Sequence, residues 1–490
     1  MVFSMMSAIP GPSTPPITST PSPATSLPVR TIPGSHGWPL LGPLSDRLDY
    51  FWFQGPKTFF KSRIEKNKST VFRTNVPPTF PFFLGVNPNV IAVLDVKSFS
   101  HLFDMELVEK ANVLVGDFMP SVSFTGDMRV CAYLDTSEAK HTQVKNFSID
   151  ILKRSSATWV PTLTSKLDTM WGSIDAELAK SGSAAVFSPL QQFLFSFFAL
   201  TLLGADASKS PEIASSGAIM LDKWLAIQLV PTLNINVLQP LVEIFLHSFS
   251  YPFFLVKGDY QKLVDFVEKE AAEVLNRGVT EFQLTEKEAV HNLLFILGFN
   301  AFGGFSIFFP VLLGNLGDEK NAEIQEKLRK EVRGKVGTNP DNLSFEKIKE
   351  MELVQSFVYE TLRLNPPVPS QFARARKDFQ LSSHDSVYDI KKGELLCGFQ
   401  PLVMLDPKVF DNPEDFVLER FTQEKGKELL NYLYWSNGPQ TGMPTAANKQ
   451  CAGKDIVTLT ASLFVAYVLQ RYDSLSVSSG SVVAAKLKAS

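Results

Sequence analysis

One cysteine of this chain stands where its sulfur could take part in chemistry. Cys451 lies in the string Asn448-Lys449-Gln450-Cys451-Ala452-Gly453-Lys454-Asp455, and an apolar helix is predicted to begin after Gly453. The positive end of that helix and the two lysines are expected to lower the pKa of the thiol. A cysteine thiolate is a haem ligand that pushes electron density onto iron and favours O–O cleavage. The alternative is a buried structural cysteine, because free cysteine commonly behaves as a small hydrophobic residue.

Two charged elements precede this cysteine along the chain. Glu360-Thr361-Leu362-Arg363 places opposite charges three residues apart on one face of a helix that ends at Asn365-Pro366-Pro367. Arg420 follows about fifty residues later, in Phe416-Val417-Leu418-Glu419-Arg420-Phe421. Taken alone, the first pair would be an ordinary surface ion pair. Together with the cysteine string, the order resembles the cytochromes P450, in which Glu360, Arg363 and Arg420 would form the Glu-Arg-Arg cluster behind the haem.

This resemblance covers nearly the whole chain after the N-terminal segment. It implies a mainly α fold with small β-sheets, a long central helix over the haem, and haem b (iron protoporphyrin IX) with Cys451 as the iron ligand. Where the common pattern reads Phe-x-x-Gly-x-Arg-x-Cys-x-Gly, this chain has Pro444, Ala447, Lys449, Cys451 and Gly453. Those departures resemble the plant P450s that metabolise fatty-acid hydroperoxides: allene oxide synthases, hydroperoxide lyases and divinyl ether synthases.

The predicted central helix opens with a capping box, Thr285-x-x-Glu288, and carries Gly303-Gly304-Phe305-Ser306-Ile307. Monooxygenase P450s have Ala-Gly-x-Asp-Thr there, so Ser306 and Ile307 stand in place of the acid-alcohol pair that delivers protons to iron-bound oxygen. A substrate that already contains an O–O bond needs neither protons nor electrons from outside. The resemblance therefore argues against a monooxygenase and against a reductase partner.

The resemblance also proposes which cations hold the haem propionates. They are Lys110, His141, Lys145 and Lys449, of which His141 and Lys145 lie four residues apart on one helical face. The alternative for each is a solvated surface charge, because charged side chains are mostly exposed.

Asn300 is the predicted catalytic residue of the central helix. Its neutral amide can hold the outer oxygen of a hydroperoxide without supplying a proton, and the alternative is a buried amide that bonds within the helix. Leu114 resembles the position of an active-site Phe in the synthases, and Ala132 stands where the synthases tend to have Ser. An aliphatic side chain cannot stabilise an adjacent radical or cation as an aromatic face does, although Leu114 could equally be a packing residue.

We therefore expect a lyase that cleaves 13-hydroperoxides of linoleic and linolenic acid into a C6 aldehyde and a C12 oxo-acid. The alternatives are an allene oxide synthase and, more distantly, a haem monooxygenase or a non-catalytic haem-binding protein.

Composition agrees with a large enzyme of this kind. The chain has 490 residues, 44% of them hydrophobic, and its 40 Phe suit a lipid substrate. A net charge of -3 with scattered Lys and Arg gives no case for nucleic acid. The three cysteines, Cys131, Cys397 and Cys451, are too widely spaced to suggest a disulfide framework. The sequence also has no His-Glu-x-x-His string that would indicate a zinc site.

The N-terminal segment, residues 1–32, resembles a plastid transit peptide, and the catalytic domain is expected over residues 33–490. The first 45 residues contain no Asp or Glu and are rich in Ser, Thr and Pro. Composition leaves open a disordered Pro-rich tail. The prolines forbid a long apolar anchor helix. A chloroplast location follows from the resemblance, with any membrane association expected to be peripheral.

Residues 290–316 carry no acidic residue, Lys or Arg and could be read as a membrane span. Asn300, Ser306 and the glycines favour a core helix instead. Helical periodicity dominates residues 138–364, strands are predicted at residues 90–94 and 395–399, and a surface loop is predicted at residues 207–212.

Overall fold

The computed structural model describes residues 27–78, 83, 85–233, 241–337 and 342–488. Within them, α-helices form at α1 Leu41–Leu48, α2 Pro56–Asn67, α3 Val96–Phe99, α4 Ala139–Ser181, α5 Phe187–Phe198, α6 Pro211–Leu229, α7 Leu241–His247, α8 Lys257–Glu270, α9 Ala272–Phe282, α10 Glu286–Phe295, α11 Gly304–Gly317, α12 Ala322–Val336, α13 Phe345–Lys349, α14 Glu352–Leu364, α15 Gln400–Val403, α16 Gln423–Glu428 and α17 Lys454–Arg471. The fold is mainly α, as predicted.

Ten short strands accompany these helices in the described part of the chain: β1 Val71–Asn75, β2 Asn89–Val93, β3 Val108–Glu109, β4 Ala184–Ala185, β5 Ser370–Ala375, β6 Phe379–Ser382, β7 Val387–Ile390, β8 Leu395–Phe399, β9 Tyr472–Ser478 and β10 Ser481–Leu487. The largest sheet has the order β1-β2-β8-β5-β3. Its β2 and β8 are the two predicted strands, and they pair in parallel with Ile91 opposite Leu396. Two smaller sheets have the orders β4-β10-β9 and β6-β7.

Residues just ahead of the predicted domain start at residue 33 also contact the folded unit. Val29 forms a parallel bridge with Val387, and the N–H of Val387 donates to the carbonyl of Pro28. Ile32 is buried in the core beside the sheet. The rest of the predicted transit segment, residues 1–26, lies outside the described residues.

The central helix is continuous from Glu286 to Gly317 and consists of three parts. The predicted capping box is present: the Thr285 side chain accepts from the Glu288 N–H, and the Glu288 side chain accepts from the Thr285 N–H. After α10 the chain forms a π-helix, Ile296–Gly303, before α11 begins.

Two helices have the length and apolar composition to cross a membrane, Pro211–Thr232 and Glu286–Gly317. The sequence does not predict the first helix as a span, because Asp222 and Lys223 interrupt its apolar run. In the second, 56% of the most apolar stretch is buried inside the protein. A helix with that share of its residues buried in the protein is a core helix. This agrees with the interpretation that Asn300 and Ser306 favour.

The helix after Cys451 is a second axis of the core. Phe464 of α17 packs on Phe309 of α11, with ring centroids 4.5 Å apart. The indole N–H of Trp159 on α4 donates to Thr460 Oγ1 at 2.8 Å. These contacts join α4, the central helix and α17, the elements that carry most of the predicted site.

One predicted loop is largely helical. Ala207–Lys209 forms a 3-10 turn, and α6 begins at Pro211, inside the predicted loop of residues 207–212. Ala207 is also buried rather than exposed. Proline is favourable at the first position of a helix, because the N–H it lacks would have no partner there.

Candidate haem-thiolate site

The loop before α17 holds Cys451 by backbone hydrogen bonds. The N–H of Cys451 donates to the carbonyl of Ser436 at 2.9 Å, and its carbonyl accepts from the Lys454 N–H at 3.1 Å. The Gln450 amide donates to the carbonyl of Pro439 at 2.6 Å. Gly438 is closely packed, since a Cβ there would lie 3.0 Å from the Gln450 amide. The sulfur is therefore presented by a loop with little freedom to move.

The expected electrostatics of this cysteine need one correction. Burial raises the pKa of the Cys451 thiol, and the smaller effects of the Lys145 ammonium, the Gly453 N–H and the Lys454 ammonium lower it. The predicted net lowering is thus wrong for the polypeptide by itself, because desolvation outweighs the nearby cations. Metal coordination deprotonates a thiol outright, so a thiolate still follows once iron is bound.

The Lys449 side chain bonds to the segment around Cys131. Its ammonium donates to three backbone carbonyls, those of Cys131 at 2.8 Å, Ala132 at 3.2 Å and Leu134 at 2.7 Å. Burial lowers its pKa to about 8. All three N–H groups are engaged, so its predicted contact with a propionate stays a prediction that requires breaking one of these bonds.

The other three predicted propionate residues are also buried. Lys110 is 4% exposed, and burial together with the Lys449 charge lowers its pKa to about 7. Burial and the charges of Lys449 and Lys145 lower the pKa of His141 to about 4. Lys145 donates to the carbonyl of Gln450, directly before the ligand cysteine. The alternative of solvated surface charges is excluded by this burial.

His141 has the least satisfied hydrogen-bonding atoms of these buried basic residues. Both ring nitrogens are buried and neither forms a well-aligned hydrogen bond among the described residues, although the backbone of Ala446 is a weak partner that raises the pKa of the ring. Buried polar atoms in proteins are nearly always satisfied, so two such atoms beside two buried lysines indicate a missing acceptor. An anion would satisfy the ring and offset the unfavourable burial of positive charge.

The central helix exposes one stripe in an otherwise buried surface. Asn300 is exposed, Gly303 and Gly304 are half-buried, and Ile307 is 53% exposed. Their spacing of three and four residues places them on one face. A Cβ built on Gly304 would meet nothing within 4 Å, so open space lies in front of this face. The exposure of Asn300 disagrees with the alternative of a buried amide bonded within the helix.

The π-helix around Asn300 depends on close packing of α6. A Cβ on Gly298 would lie 2.9 Å from Leu221 and 3.0 Å from Trp224, and one on Gly303 would lie 3.1 Å from Leu225. These glycines let α6 lie directly against the π segment. Such π segments inside α-helices are frequent at functional sites, because the extra residue re-aims the neighbouring side chains.

Ser306 does not join the exposed stripe. It is 8% exposed, and its Oγ has no hydrogen-bond partner among the described residues. Ile307, the next residue, faces the open space and carries no polar atom. In this stretch of the central helix, neither predicted residue offers a group that could relay a proton towards the stripe.

Leu114 and Ala132 are the two residues predicted to decide between lyase and synthase products, and we call them the branch residues. They lie on neighbouring segments. Leu114 is half-buried against the main core, in a tight turn in which its N–H donates to the carbonyl of Phe118 at 3.1 Å. Ala132 is half-buried within the 3-10 turn Cys131–Tyr133. The N–H of Asn112 donates to the carbonyl of Tyr133 at 3.0 Å, which joins the two segments.

The three residues of the predicted cluster meet in the core. Arg363 makes a two-pronged contact with Glu360 at 2.7 and 2.8 Å, and Arg420 Nε lies 2.9 Å from the same carboxylate. The remaining Arg363 nitrogen donates to the carbonyls of Met404 and Pro413. Buried charges are stable only when paired and hydrogen-bonded in this way. The cluster therefore ties α14 to the segment that leads to the ligand loop.

Sequence reasoning missed two asparagines of the site. Asn437 has a positive φ of 61°, accepts from the Lys110 ammonium, and donates to the carbonyl of Lys449 at 2.9 Å. The Asn-Gly pair at 437 and 438 is a turn signal that could have indicated it. Asn292 of α10 accepts from the Cys131 N–H at 3.0 Å. No local pattern marks that contact, because its partners are far apart in the sequence.

Comparison with known proteins agrees with this geometry. The family model described as Cytochrome P450 matches residues 319–485. The chloroplastic fatty acid hydroperoxide lyase of Solanum lycopersicum is 77% identical over 96% of this chain and 98% of its own length. The chloroplastic linolenate hydroperoxide lyase of Arabidopsis thaliana is 59% identical over 95% of this chain and 94% of its own length. The chloroplastic allene oxide synthase of Linum usitatissimum is 42% identical, over 95% and 87%.

A buried Glu-Arg-Arg cluster, a cysteine loop ahead of a core helix and a long central helix define a class, the haem-thiolate cytochromes P450. Within that class the chain belongs to the plant fatty acid hydroperoxide lyase family, of which the allene oxide synthases are more distant relatives. The predicted family and fold are thereby confirmed.

The residues present fit a haem. Cys451 would provide the thiolate that this class uses as iron ligand, and the buried Lys110, His141 and Lys145 form a cationic group in which the His141 ring nitrogens lack well-formed hydrogen bonds among the described residues. A Cβ on Gly304 would meet nothing within 4 Å, which is compatible with a flat ring beside the central helix. Two propionates would supply the acceptors that the cationic group lacks.

Proposed function

We propose that this chain is a haem-thiolate lyase that cleaves 13-hydroperoxides of linoleic and linolenic acid into a C6 aldehyde and a C12 oxo-acid. One observation carries the proposal: the stripe of the central helix presents the Asn300 amide beside apolar residues, without an acid or a free hydroxyl. Such a surface can hold a peroxide but cannot feed protons to oxygen. The 77% identical relative is named a fatty acid hydroperoxide lyase.

Asn300 orients the substrate in this proposal. Its amide would donate to the outer oxygen of the hydroperoxide and hold the O–O bond in one orientation, without supplying an acidic proton that would favour heterolysis. Ile307 and Leu114 exclude water from the reacting carbons. When bound, haem supplies the iron-centred redox chemistry that splits the O–O bond without outside electrons.

The branch after O–O cleavage is set by what surrounds the substrate radical. The alkoxyl oxygen closes onto the neighbouring double bond, leaving an epoxide and a carbon radical. Leu114 offers no aromatic face and Ala132 no hydroxyl, so nothing at these positions assists oxidation to a cation. The radical instead opens the C–C bond of the epoxide and takes back the hydroxyl that was split off at O–O cleavage. This gives a hemiacetal, an isomer of the hydroperoxide, which falls into two carbonyl fragments. No oxygen molecule or reductant enters this balance.

The decisive experiment uses the purified holoenzyme, 13-hydroperoxylinolenic acid and an anaerobic buffer without NADPH. We expect C6 aldehyde and C12 oxo-acid within the first turnovers. An α-ketol, the hydrolysis product of an allene oxide, would show the synthase branch instead. Consumption that starts only when a reductase and NADPH are added would refute hydroperoxide metabolism.

We propose haem b as the cofactor, held by Cys451 through iron and by Lys110, His141 and Lys145 through the propionates. This form of haem has no covalent link to protein, and no Cys-x-x-Cys-His attachment string occurs in the sequence. Acidified organic solvent should therefore extract all of the haem. Colour that stays with the precipitated protein would contradict the assignment.

A plastid location is proposed because both lyase relatives are named chloroplastic. The acid-free, Ser-, Thr- and Pro-rich segment at residues 1–32 supports it. Fusion of residues 1–45 to a fluorescent protein should direct that protein into chloroplasts. A uniformly cytosolic signal would contradict the transit role.

Peripheral membrane association is proposed from exposed apolar side chains near the N-terminus of the folded unit. Trp38 is 81% exposed, and Leu41 and Phe53 are also exposed. The π-helix Asp49–Phe53 lies against α7, where Phe51 stacks on His247 with centroids 3.7 Å apart. Phe245 of α7 is 64% exposed, so each of these two neighbouring elements presents an exposed aromatic side chain. Large exposed apolar patches on soluble proteins mark interaction surfaces.

Flotation with phosphatidylcholine vesicles tests this surface. The triple substitution Trp38→Ser, Phe53→Ser and Phe245→Ser should reduce the floated fraction about tenfold or more, since each large apolar side chain contributes about 1.5–3 kcal/mol when fully buried. Met443→Ser removes an equally exposed apolar side chain from the loop before Cys451 and serves as the matched control. Equal flotation of both variants would contradict the patch.

A further inference from the structure

The residues from Cys131 to Asp135, here called the bridge segment, are held from three directions. On the side of the ligand loop, the Lys449 ammonium donates to the carbonyls of Cys131, Ala132 and Leu134. These are three charge-assisted hydrogen bonds from one half-buried side chain. The bridge segment therefore follows any displacement of the loop that carries Cys451.

On the opposite side the bridge segment is tied to the central helix. Asn292 is 1% exposed, and its Oδ1 accepts from the Cys131 N–H at 3.0 Å. Its Nδ2 donates to the carbonyl of Glu288 at 2.9 Å, which orients the amide so that the oxygen faces the segment. Asn292 lies eight residues before Asn300 on the same continuous helix.

The third contact reaches the loop that carries Leu114. The N–H of Lys110 donates to Asp135 Oδ1 at 3.0 Å, and the N–H of Asn112 donates to the carbonyl of Tyr133 at 3.0 Å. One short segment thus contacts the ligand loop, the central helix and the loop with the branch residue Leu114. Ala132, the other branch residue, lies within the segment itself.

We propose that Asn292 is a positioning residue: through its bond to the Cys131 N–H it holds the bridge segment, and with it Ala132 and Leu114, in register with Asn300. The effect on products rests on the proposed lyase function, whereas the effect on the segment does not. Loss of the Asn292 oxygen leaves the part-buried N–H of Cys131 without its acceptor, which favours displaced conformations of the segment.

Cys131 reports on this segment without reference to activity. It is half-buried, whereas Cys397 is fully buried and Cys451 is engaged by iron in the holoenzyme. The test is the rate of iodoacetamide alkylation of Cys131 in the holoenzyme, read by mass spectrometry. Asn292→Leu should raise this rate about five- to 150-fold, the population change expected when a buried donor loses its partner. Alkylation of Cys397 should not change, since it requires global unfolding.

Two variants make the result specific to the Asn292 oxygen. Asn292→Asp keeps an oxygen that can accept from the Cys131 N–H and should restore slow alkylation. Asn315→Leu removes an amide from the far end of the same helix and should leave Cys131 unaffected. If Asn292→Leu does not fold, Asn292→Ala makes the same test with a smaller side chain.

Products are then measured with the same proteins. In the Asn292→Leu holoenzyme we expect an unchanged thiolate haem spectrum and a several-fold change in the ratio of aldehydes to ketol, restored by Asn292→Asp. Unchanged alkylation would overturn the proposal whatever the products are. Faster alkylation with an unchanged product ratio would overturn the positioning role. If the parent enzyme makes only ketol, the proposed lyase function fails while alkylation still tests the bond.

Discussion

The wall of the site that carries Cys451 and the wall formed by the central helix use polar groups in opposite ways. Around the cysteine loop, lysines and amides are committed to backbone carbonyls, as in the three bonds of Lys449 and the bond of Lys145 to Gln450. On the central helix the stripe exposes a single amide, Asn300, followed by Gly303, Gly304 and Ile307. A densely bonded wall resists movement, whereas a sparsely polar wall leaves space and few interactions for a bound molecule.

This difference separates what the family shares from what distinguishes its members. Holding haem and its thiolate requires fixed charges and a rigid loop, and any P450 must solve that problem. The outcome for the substrate depends on the apolar side, where one aromatic or hydroxyl group more or less can redirect a radical. The following substitutions probe the two walls in turn.

The largest effect is expected on the cysteine wall. Cys451→Ser should abolish the thiolate-type haem spectrum and all hydroperoxide turnover, since a serine alkoxide is not available near neutral pH. The absorbance of the ferrous carbon monoxide complex is the measurement. Cys131→Ser is the matched control and should keep the thiolate signature. Full activity of Cys451→Ser would remove this cysteine from the ligand role.

The next effect lies on the helix wall. Asn300→Ala should cut turnover on the order of 10²-fold through misplacement of the reacting group, with haem content unchanged. Stopped-flow consumption of 13-hydroperoxylinolenic acid measures it. Ser306→Ala removes a buried hydroxyl without a partner and should leave the rate unchanged within about twofold, because such an atom contributes no net hydrogen bond. A normal rate in Asn300→Ala would make Asn300 a packing residue.

The cationic group gives a pH dependence to haem retention. Burial holds the pKa of Lys110 at about 7, and a propionate beside it would raise that value. Haem affinity should therefore be full below pH 7 and fall above it, by up to about tenfold per pH unit, because binding takes up a proton. Haem transfer to apomyoglobin should accelerate between pH 7 and 9 in the parent.

Lys110→Arg separates charge from packing in that experiment. The guanidinium stays protonated throughout this range, so the acceleration with pH should largely disappear. Lys110→Met should release haem faster at every pH. A parent rate that does not vary between pH 7 and 9 would exclude Lys110 as a propionate partner.

The smallest effect is expected on the ratio of aldehydes to ketol. Leu114→Phe should place an aromatic face beside the carbon radical and divert flux from aldehydes to ketol by roughly two- to thirtyfold, for a contact of about 0.5–2 kcal/mol. Total hydroperoxide consumption should stay similar, since O–O cleavage precedes the branch. Leu114→Ile keeps an aliphatic side chain and is the control. Aldehydes alone from Leu114→Phe would place the branch elsewhere in the site.

Local patterns were sufficient for much of this protein. The Thr285 and Glu288 capping box, the start of α17 after Gly453 and the helical pairing of Glu360 with Arg363 depend on residues within a few positions, and all three are present. The strands at β2 and β8 follow from short apolar runs of β-branched and large residues. The family follows from strings that this sequence carries intact.

The tertiary structure alone decided which groups meet across the fold. Lys449 was predicted beside the sulfur or a propionate, yet its ammonium reaches carbonyls more than three hundred residues away, and Lys145 approaches the ligand loop instead. The pKa of Cys451 is raised because burial depends on everything packed around it. The sequence alone determined the residue types and local helices of this protein. Their separation in space, and hence their electrostatics, arises from long-range packing that no local pattern encodes.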